Sequence, residues 1–202
     1  MGLRERFRGR LLDRMMRQVD ELRPEVLGAA QGEVLDVGFG TGLNLAFYPR
    51  GVRRVVGIEP KLVEELPALA ERIAAAPFPV EQHELRADGE LPFDAGRFDC
   101  VVTTWTLCSI PDPIRALREM RRVLKPGGTY FFIEHGRAPA GGTARWQDRV
   151  NPLWRRFAGG CNMNRPIDAL VAQGGFELAR VERFRHRGPA LLAHMYRGSA
   201  TA

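Results

Sequence analysis

Cysteine is scarce in this chain of 202 residues: it occurs three times, at 100, 108 and 161, with no CxxC pair. An odd set at those spacings excludes a disulfide scaffold and a structural zinc ribbon, makes a reducing cytoplasm the expected compartment, and leads to the expectation of no metal. Long apolar runs are missing as well. The longest uncharged stretch near the centre is Cys100 to Pro111, against the roughly 20 apolar residues of a bilayer-spanning helix. The first residues, MGLRERFRGR, carry positive charge with no apolar run behind them, so no secretory signal is expected. Sustained heptads and internal repeats are absent, which excludes a coiled coil and a solenoid. Aromatics make up only 8%. What remains, 45% hydrophobic and 27% charged side chains, is the composition of a globular domain rather than of a disordered or collagen-like chain.

Lysine is also nearly absent, since 28 of the 30 basic residues are arginine. The net charge of +6 is unevenly spread. Residues 1–20 hold six arginines against three acids, residues 21–134 carry more acids than bases, and residues 135–187 hold ten arginines against four acids. The middle reads as an ordinary enzyme core between two basic ends. A basic surface attracts nucleic acid or anionic lipid, although an arginine-rich genome produces the same excess.

Leu3, Phe7, Leu11, Met15 and Val19 recur every four residues, which predicts an amphipathic helix over 3–20, with a second short helix over 21–30 softened by Pro24. Buried strands then alternate with amphipathic stretches. Strands are expected at 33–38, 54–59, 80–85, 98–104 and 129–135, and helices from Leu43, over 61–75 and over 114–124, the last stopped by Lys125-Pro126-Gly127-Gly128. This βαβ rhythm predicts an α/β fold with a parallel sheet covered on both faces. Residues 136–163 read as an irregular insert rich in Gly, Arg and Trp, followed by a helix at 165–173. Two strand-like segments, Phe176–Phe184 and Ala190–Tyr196, then suggest a terminal antiparallel hairpin. The expected organisation is an N-terminal helical cap over 1–30 and one domain over 31–202.

The strongest local signal is Val34-Leu35-Asp36-Val37-Gly38-Phe39-Gly40-Thr41-Gly42. A buried strand runs into a turn whose glycines let backbone approach a ligand at a helix N-terminus. Dinucleotide dehydrogenases place their third glycine where Leu43 stands here. Glu59, closing the second strand, suits the two hydroxyls of a ribose in either ligand class, and Asp36 inside the first strand tips the choice.

VLDVGFGTG, GIEP, LPFDAGRFDCVV and LREMRRVLKPGG together resemble the class I S-adenosylmethionine-dependent methyltransferases. That resemblance implies a Rossmann-like sandwich with a seven-stranded, mostly parallel sheet and a C-terminal antiparallel hairpin. It implies S-adenosyl-L-methionine as cofactor and S-adenosyl-L-homocysteine as product. The cofactor residues it implies are Asp36, Gly38, Phe39, Gly40, Gly42 and Asn44 for the loop, Glu59 and Pro60 for the ribose, Ala87, Asp88 and Gly89 for the adenine, and Thr104 at the methionine end. Phe39 departs from the small residue or cysteine common there.

Thr106-Leu107-Cys108-Ser109, the Glu134-His135 pair, Trp146-Gln147, Pro152, Trp154, Gly160-Cys161-Asn162 and Arg165 resemble the methyltransferase-like thiol S-methyltransferases. The implied reaction moves a methyl group to a small lipophilic acceptor, by preference a thiol. Trp105, Cys108, Ser109, Trp146, Trp154, Cys161 and Asn162 are the expected pocket residues, with the two tryptophans, eight apart, on one face of a lid in the 136–163 insert. His135, just after the fifth strand, is the candidate base, because an imidazole exchanges protons near neutral pH. Membrane-bound members of that family begin with a hydrophobic anchor, whereas this chain begins with a basic amphipathic helix, a candidate for covering the site or for peripheral contact with anionic lipid.

Other functions stay open on sequence alone. A phospholipid amine or a quinone-like ring is an alternative acceptor. Nucleic-acid methylation is disfavoured, since the fourth strand ends in Thr-Thr-Trp-Thr rather than the Asn/Asp-Pro-Pro-aromatic run used on base amino groups. A nicotinamide-dependent oxidoreductase and a non-catalytic cofactor-binding protein are the more distant readings. No obligate protein partner is indicated.

Overall fold

A computed structural model of the chain describes residues 13–61 and 67–202. Among them seven strands form one sheet: β1 (Gly32–Val37), β2 (Val52–Glu59), β3 (Val80–Glu84), β4 (Phe98–Thr104), β5 (Leu124–His135), β6 (Glu177–Arg185) and β7 (His194–Thr201). Their order is β3-β2-β1-β4-β5-β7-β6. Pairs among the first five strands are parallel, while β7 runs antiparallel to both β5 and β6. The order reverses between β1 and β4, so the chain leaves those two neighbours in opposite directions. The crevice outside the C-terminal ends of two such strands is the usual ligand position of this kind of sheet.

Alternation along the strands feeds two cores. Leu35, Val37, Val101, Tyr130 and Phe132 face one side, covered by α3 (Pro113–Val123) and α5 (Ile167–Gln173), with Leu117 and Val171 buried there. Val34, Val55, Val102, Phe131 and Ile133 face the other, covered by α1 (Arg23–Leu27) and α2 (Pro67–Ala75), which bury Leu27 and Leu69. The remaining helix, α4 (Gly142–Phe157), lies in the insert.

Several elements depart from the sequence reading. Most of the 3–20 helix falls outside the described residues. From residue 13 onward the chain is helical, passes through a 3-10 stretch at Arg17–Leu22 and continues directly into α1. Pro24 does not interrupt it, because a proline in the first turn gives up an N–H that has no helical acceptor. After Gly42 only a short 3-10 helix forms, Leu43–Phe47. The fifth strand begins five residues early, at Leu124, which pairs with Phe98, and Gly127 at φ 74° absorbs the shift in register. The insert is not irregular, since α4 has 16 residues. The last strand is displaced toward the C-terminus: Leu191 and Leu192 lie in a turn, and the strand runs to Thr201. Gly198 permits that pairing, because a Cβ there would lie 2.1 Å from the Arg180 carbonyl oxygen.

The N-terminal segment is tied to the glycine turn by Asp13. It accepts hydrogen bonds from Thr41 Oγ1 at 2.7 Å, from Arg72 at 2.7 and 3.1 Å, and from Arg17 at 3.1 Å. Burial alone would raise its pKa, but those donors outweigh burial and hold it at about 2. The folded value lies below the unfolded one, so this stabilisation is present at neutral pH and is lost as pH falls below 4 toward 2. Asp13→Asn is expected to cost about 1 kcal/mol in urea denaturation at neutral pH, with the difference from wild type shrinking at about pH 3.

Candidate functional site

The turn after β1 is built from positive-φ glycines: Gly38 at 75°, Gly40 at 55° and Gly42 at 71°. A side chain at Gly38 would collide with Thr106, its Cβ lying 2.0 Å from Thr106 Oγ1, so the β1 and β4 loops touch at that point. At Gly40 the space is open, with only the Gly38 oxygen at 3.7 Å. The Phe39 ring turns away from the crevice and fills the space above Gly57, where a Cβ would lie 2.4 Å from the ring. Its departure from the family's small residue is therefore met by a glycine on β2, and the backbone of the loop is unaffected.

Asp36 is buried beneath this loop. It accepts from Asn44 Nδ2 at 3.0 and 3.1 Å and from the Tyr48 hydroxyl at 2.9 Å. Arg23, itself 2% exposed, reaches Asn44 Oδ1 and is fixed by Asp20 at 2.9 Å and the Met16 carbonyl at 3.1 Å. Burial raises the Asp36 pKa to about 6 against the opposing pull of Asn44, Tyr48 and Arg23. In this arrangement Asp36 and Asn44 support the loop from below. Thr104 Oγ1 adds a 3.3 Å bond to Asn44 Oδ1.

Glu59 stands at the end of β2 beside the glycines, and its Oε2 accepts from the Gly40 N–H at 3.1 Å. Burial raises its pKa and that N–H opposes the rise. Pro60 follows, exposed. Ala87 is buried, and Gly89 closes a turn on the Arg86 carbonyl at 3.1 Å. The Asp88 carboxylate is engaged by Arg86 at 2.9 and 3.1 Å.

Beyond β4 the backbone is strained: Trp105 is the non-glycine residue with positive φ, 51°, among the described residues. Glu134, fully buried on β5, holds the following turn by accepting from the Thr106 N–H at 3.1 Å and the Leu107 N–H at 3.0 Å. Burial raises its pKa, opposed by those N–H groups. Three of the four buried side-chain atoms without a hydrogen-bond partner among the described residues lie here: Trp105 Nε1, Glu134 Oε2 and His135 Nδ1. Trp105 and His135 meet edge to face with centroids 6.0 Å apart. Unpaired buried polar atoms are costly, and each calls for a reason such as strain, a catalytic role or a bound partner.

The insert closes this corner. His135 Nε2 lies 2.9 Å from Cys161 Sγ, Trp154 Nε1 donates to the same sulfur at 3.4 Å, and Cys108 Sγ is 3.4 Å from Ser109 Oγ. The neighbouring Cys108 thiol and burial push the Cys161 pKa upward. No spacing in the sequence marks a metal motif, yet the ligating atoms of Cys108, His135 and Cys161 all lie within 4.8 Å of one another. Asn162 points elsewhere: its Nδ2 donates to the Cys108 and Gly160 carbonyls at 3.0 and 2.9 Å, and its Oδ1 accepts from Asn151 at 3.2 Å. It staples two loops together. Trp146 is separated from the corner, 58% exposed with the Arg149 guanidinium 5.9 Å from its ring centre. Eight helical steps leave an offset of about 80°, so the two tryptophans do not share a face.

Sequence reasoning named Trp105, Cys108, Ser109, His135, Trp154 and Cys161 as pocket residues and candidate base, and the structure brings them to one corner. It overlooked Arg23 and Tyr48 under Asp36, and it gave no role to Gln147 of the Trp146-Gln147 pair, whose buried amide binds four backbone groups. It also gave Glu134 no role, although that residue stood in the Glu134-His135 pair. A glutamate inside an apolar strand was the available signal.

Residues 35–132 match the family model described as methyltransferase domain. The chain is 35% identical over 170 residues to human (Homo sapiens) thiol S-methyltransferase TMT1B, covering 78% of this chain and 66% of that protein. It is 35% identical over 111 residues to phosphatidylethanolamine N-methyltransferase of Cereibacter sphaeroides, covering 54% of this chain and 53% of that protein. The chain spans 62% to 66% of the length of the thiol S-methyltransferases it matches. Its fold is like that of the cyclase SpnF, with a TM-score of 0.70, 22% identity, and coverage of 91% of this chain and 79% of that one. Among the described residues no helix is long and apolar enough to cross a membrane.

Proposed function

The chain belongs to the class I S-adenosylmethionine-dependent methyltransferases, and from that premise we propose that it transfers a methyl group to a small lipophilic thiol. The observation that carries the acceptor is the corner between β4, β5 and the insert. There a strained tryptophan and two buried cysteines surround an imidazole whose Nδ1 has no partner. The similarity to a thiol S-methyltransferase extends over 170 residues, farther than the 111 residues shared with the phospholipid enzyme.

The residues present fit the cofactor of this family. Gly40 leaves open space beside the loop, Glu59 presents a carboxylate next to it, and Trp105 Nε1 is buried without a partner. S-adenosyl-L-methionine supplies an electrophilic methyl group on a sulfonium sulfur. Glu59 would accept hydrogen bonds from the ribose hydroxyls, and the turn at Ala87, Asp88 and Gly89 would border the base. Asp36 and Asn44 keep the glycine turn in place, while Thr104 and Trp105 border the methionine end. Because the methyl group is already activated, the protein's main contribution is alignment and exclusion of water, an effect of about 7–11 kcal/mol in favourable cases.

His135 receives the thiol proton at Nδ1. A thiol of pKa about 8.5 is about 3% ionised at pH 7, so a base gains at most about 30-fold there and little above about pH 9. S-adenosyl-L-homocysteine production is measured with a short alkyl thiol, with phosphatidylethanolamine vesicles and with buffer alone. The expected result is turnover on the thiol, lowered about 30-fold by His135→Ala near neutral pH and recovering as pH rises, with cofactor affinity unchanged. Turnover on vesicles alone overturns the thiol reading. Cofactor binding with no turnover on any acceptor overturns the enzymatic one.

A further inference from the structure

We propose that Cys108, His135 and Cys161 form a three-ligand site for a soft divalent cation, zinc by preference, whose fourth position takes the acceptor sulfur. The three ligating atoms lie within 4.8 Å of one another, with His135 Nε2 at 2.9 Å from Cys161 Sγ. In a tetrahedral zinc site, nitrogen and sulfur ligands sit about 3.6 Å apart and sulfur pairs about 3.8 Å apart. Shifts of at most about 1 Å therefore convert this cluster into a coordination sphere.

The donor set is selective. Two thiolates and an imidazole suit zinc and exclude the oxygen-seeking magnesium and calcium. Two thiolates with a divalent cation also sum to no net charge, which suits residues that are 2%, 8% and 9% exposed. Glu134 holds the Thr106 and Leu107 N–H groups through Oε1 while its Oε2 has no partner, and Arg165 donates to the carbonyls of Leu107 and Ile110.

The ligands come from three elements, and the fold fixes them independently of any ion. The Cys108 carbonyl accepts from the Asn162 N–H at 2.9 Å and from Asn162 Nδ2 at 3.0 Å. Arg165 donates to the Ile110 carbonyl at 2.7 Å. These bonds clamp the Cys108 turn onto the Cys161 turn across 53 residues of chain.

Three protein ligands with one open position is the arrangement of catalytic rather than structural zinc. The role of the fourth ligand rests on the thiol reading above. An acceptor thiol loses its proton to solvent on taking that position. Its sulfur then forms the bond to the methyl carbon as the bond from that carbon to the sulfonium breaks. The thioether product is a weaker ligand than the thiolate and departs. With Nε2 on the ion, the imidazole keeps its proton on Nδ1, so this assignment replaces proton acceptance by His135.

The test uses the full chain with zinc alone and with cobalt alone. Calorimetry is expected to show stoichiometric zinc binding, and cobalt to give thiolate-to-cobalt charge-transfer absorption in the near ultraviolet. Cys108→Ser, Cys161→Ser and His135→Ala should each weaken zinc by more than about 100-fold, beyond what loss of an outer-shell partner costs. Cys100→Ser, on β4 and bonded to Gln31, should leave it unchanged. Retained circular dichroism and S-adenosyl-L-homocysteine binding certify folding of each variant. Adding an alkyl thiol should shift the cobalt spectrum. Absence of stoichiometric binding, or binding indifferent to Cys108 and Cys161, overturns the site. If thiol turnover persists without metal, the thiol reading stands and this inference fails. If cobalt binds with the charge-transfer band but is blind to thiol, the site stands and its fourth ligand is not the acceptor.

Discussion

Gly38→Ala is expected to abolish cofactor binding and to lower stability measurably. The added Cβ would lie 2.0 Å from Thr106 Oγ1, 2.4 Å from its Cγ2 and 2.7 Å from its Cβ. Thr106 cannot simply rotate away. Its N–H is held by Glu134 at 3.1 Å and its hydroxyl donates to the Thr104 carbonyl at 3.1 Å. The new side chain also has to adopt φ 75°, which costs an L-residue about 1–2 kcal/mol. Overpacking adds about 1–3 kcal/mol. The strain is relieved by separating the β1 turn from the β4 turn, the two turns proposed above to border the methionine end. Calorimetry should show affinity for S-adenosyl-L-homocysteine lowered by more than about 100-fold, with loss of about 2–5 kcal/mol in urea denaturation. Gly40→Ala separates the two effects. Its Cβ meets only one backbone oxygen at 3.7 Å, so stability should fall by little more than the backbone strain, while the methyl group intrudes into the space left for the cofactor. Unchanged cofactor affinity in both variants would remove the glycine turn from the site.

The second large effect belongs to Gln147, which is wholly buried in α4. Its Nε2 donates to the carbonyls of Gly136, Met163 and Leu191 at 3.1, 2.9 and 2.9 Å, and its Oε1 accepts from the Ala138 N–H at 2.8 Å. One amide thus joins the start of the insert, its end and the turn between β6 and β7. Gln147→Ala leaves those backbone groups buried and unpaired, each costing about 1–3 kcal/mol before relaxation. A total of about 3–5 kcal/mol in chemical denaturation is expected, in the tail of single-residue effects. Gln147→Glu sets a carboxylate against three carbonyl oxygens. Its folded pKa is then raised, so the folded state holds a proton that the unfolded state has released. The variant should regain stability as pH falls, whereas Gln147→Ala should show no such recovery. A loss below about 1 kcal/mol for the alanine variant would mean that the insert is held by packing alone.

Read along the chain, the residues determined the parallel sheet and the glycine turn. They also placed Glu59 beside that turn. Those features follow from short-range causes: apolar runs of strand length, glycines where φ must be positive, and a helix that ends at Val123, just before Lys125-Pro126-Gly127-Gly128. Even there, local pattern misjudged Leu124, which pairs with Phe98 across the sheet, and Leu191, whose carbonyl is claimed by Gln147 in a turn. Both are apolar residues whose state is chosen by a distant partner. The same holds at the site. Cys108, His135 and Cys161 are separated by 27 and 26 residues, a spacing that carries no ligand signature. They converge because parallel pairing brings the C-terminal ends of β4 and β5 together and Gln147 folds the insert back over them. Arg23 reads as one more arginine of a short N-terminal helix, and only packing reveals it as the cation that supports Asn44 and Asp36. Periodicity and turn chemistry act over a few residues, and they settled the scaffold. The sulfur and imidazole cluster depends on contacts across dozens of residues, and tertiary structure alone assembled it.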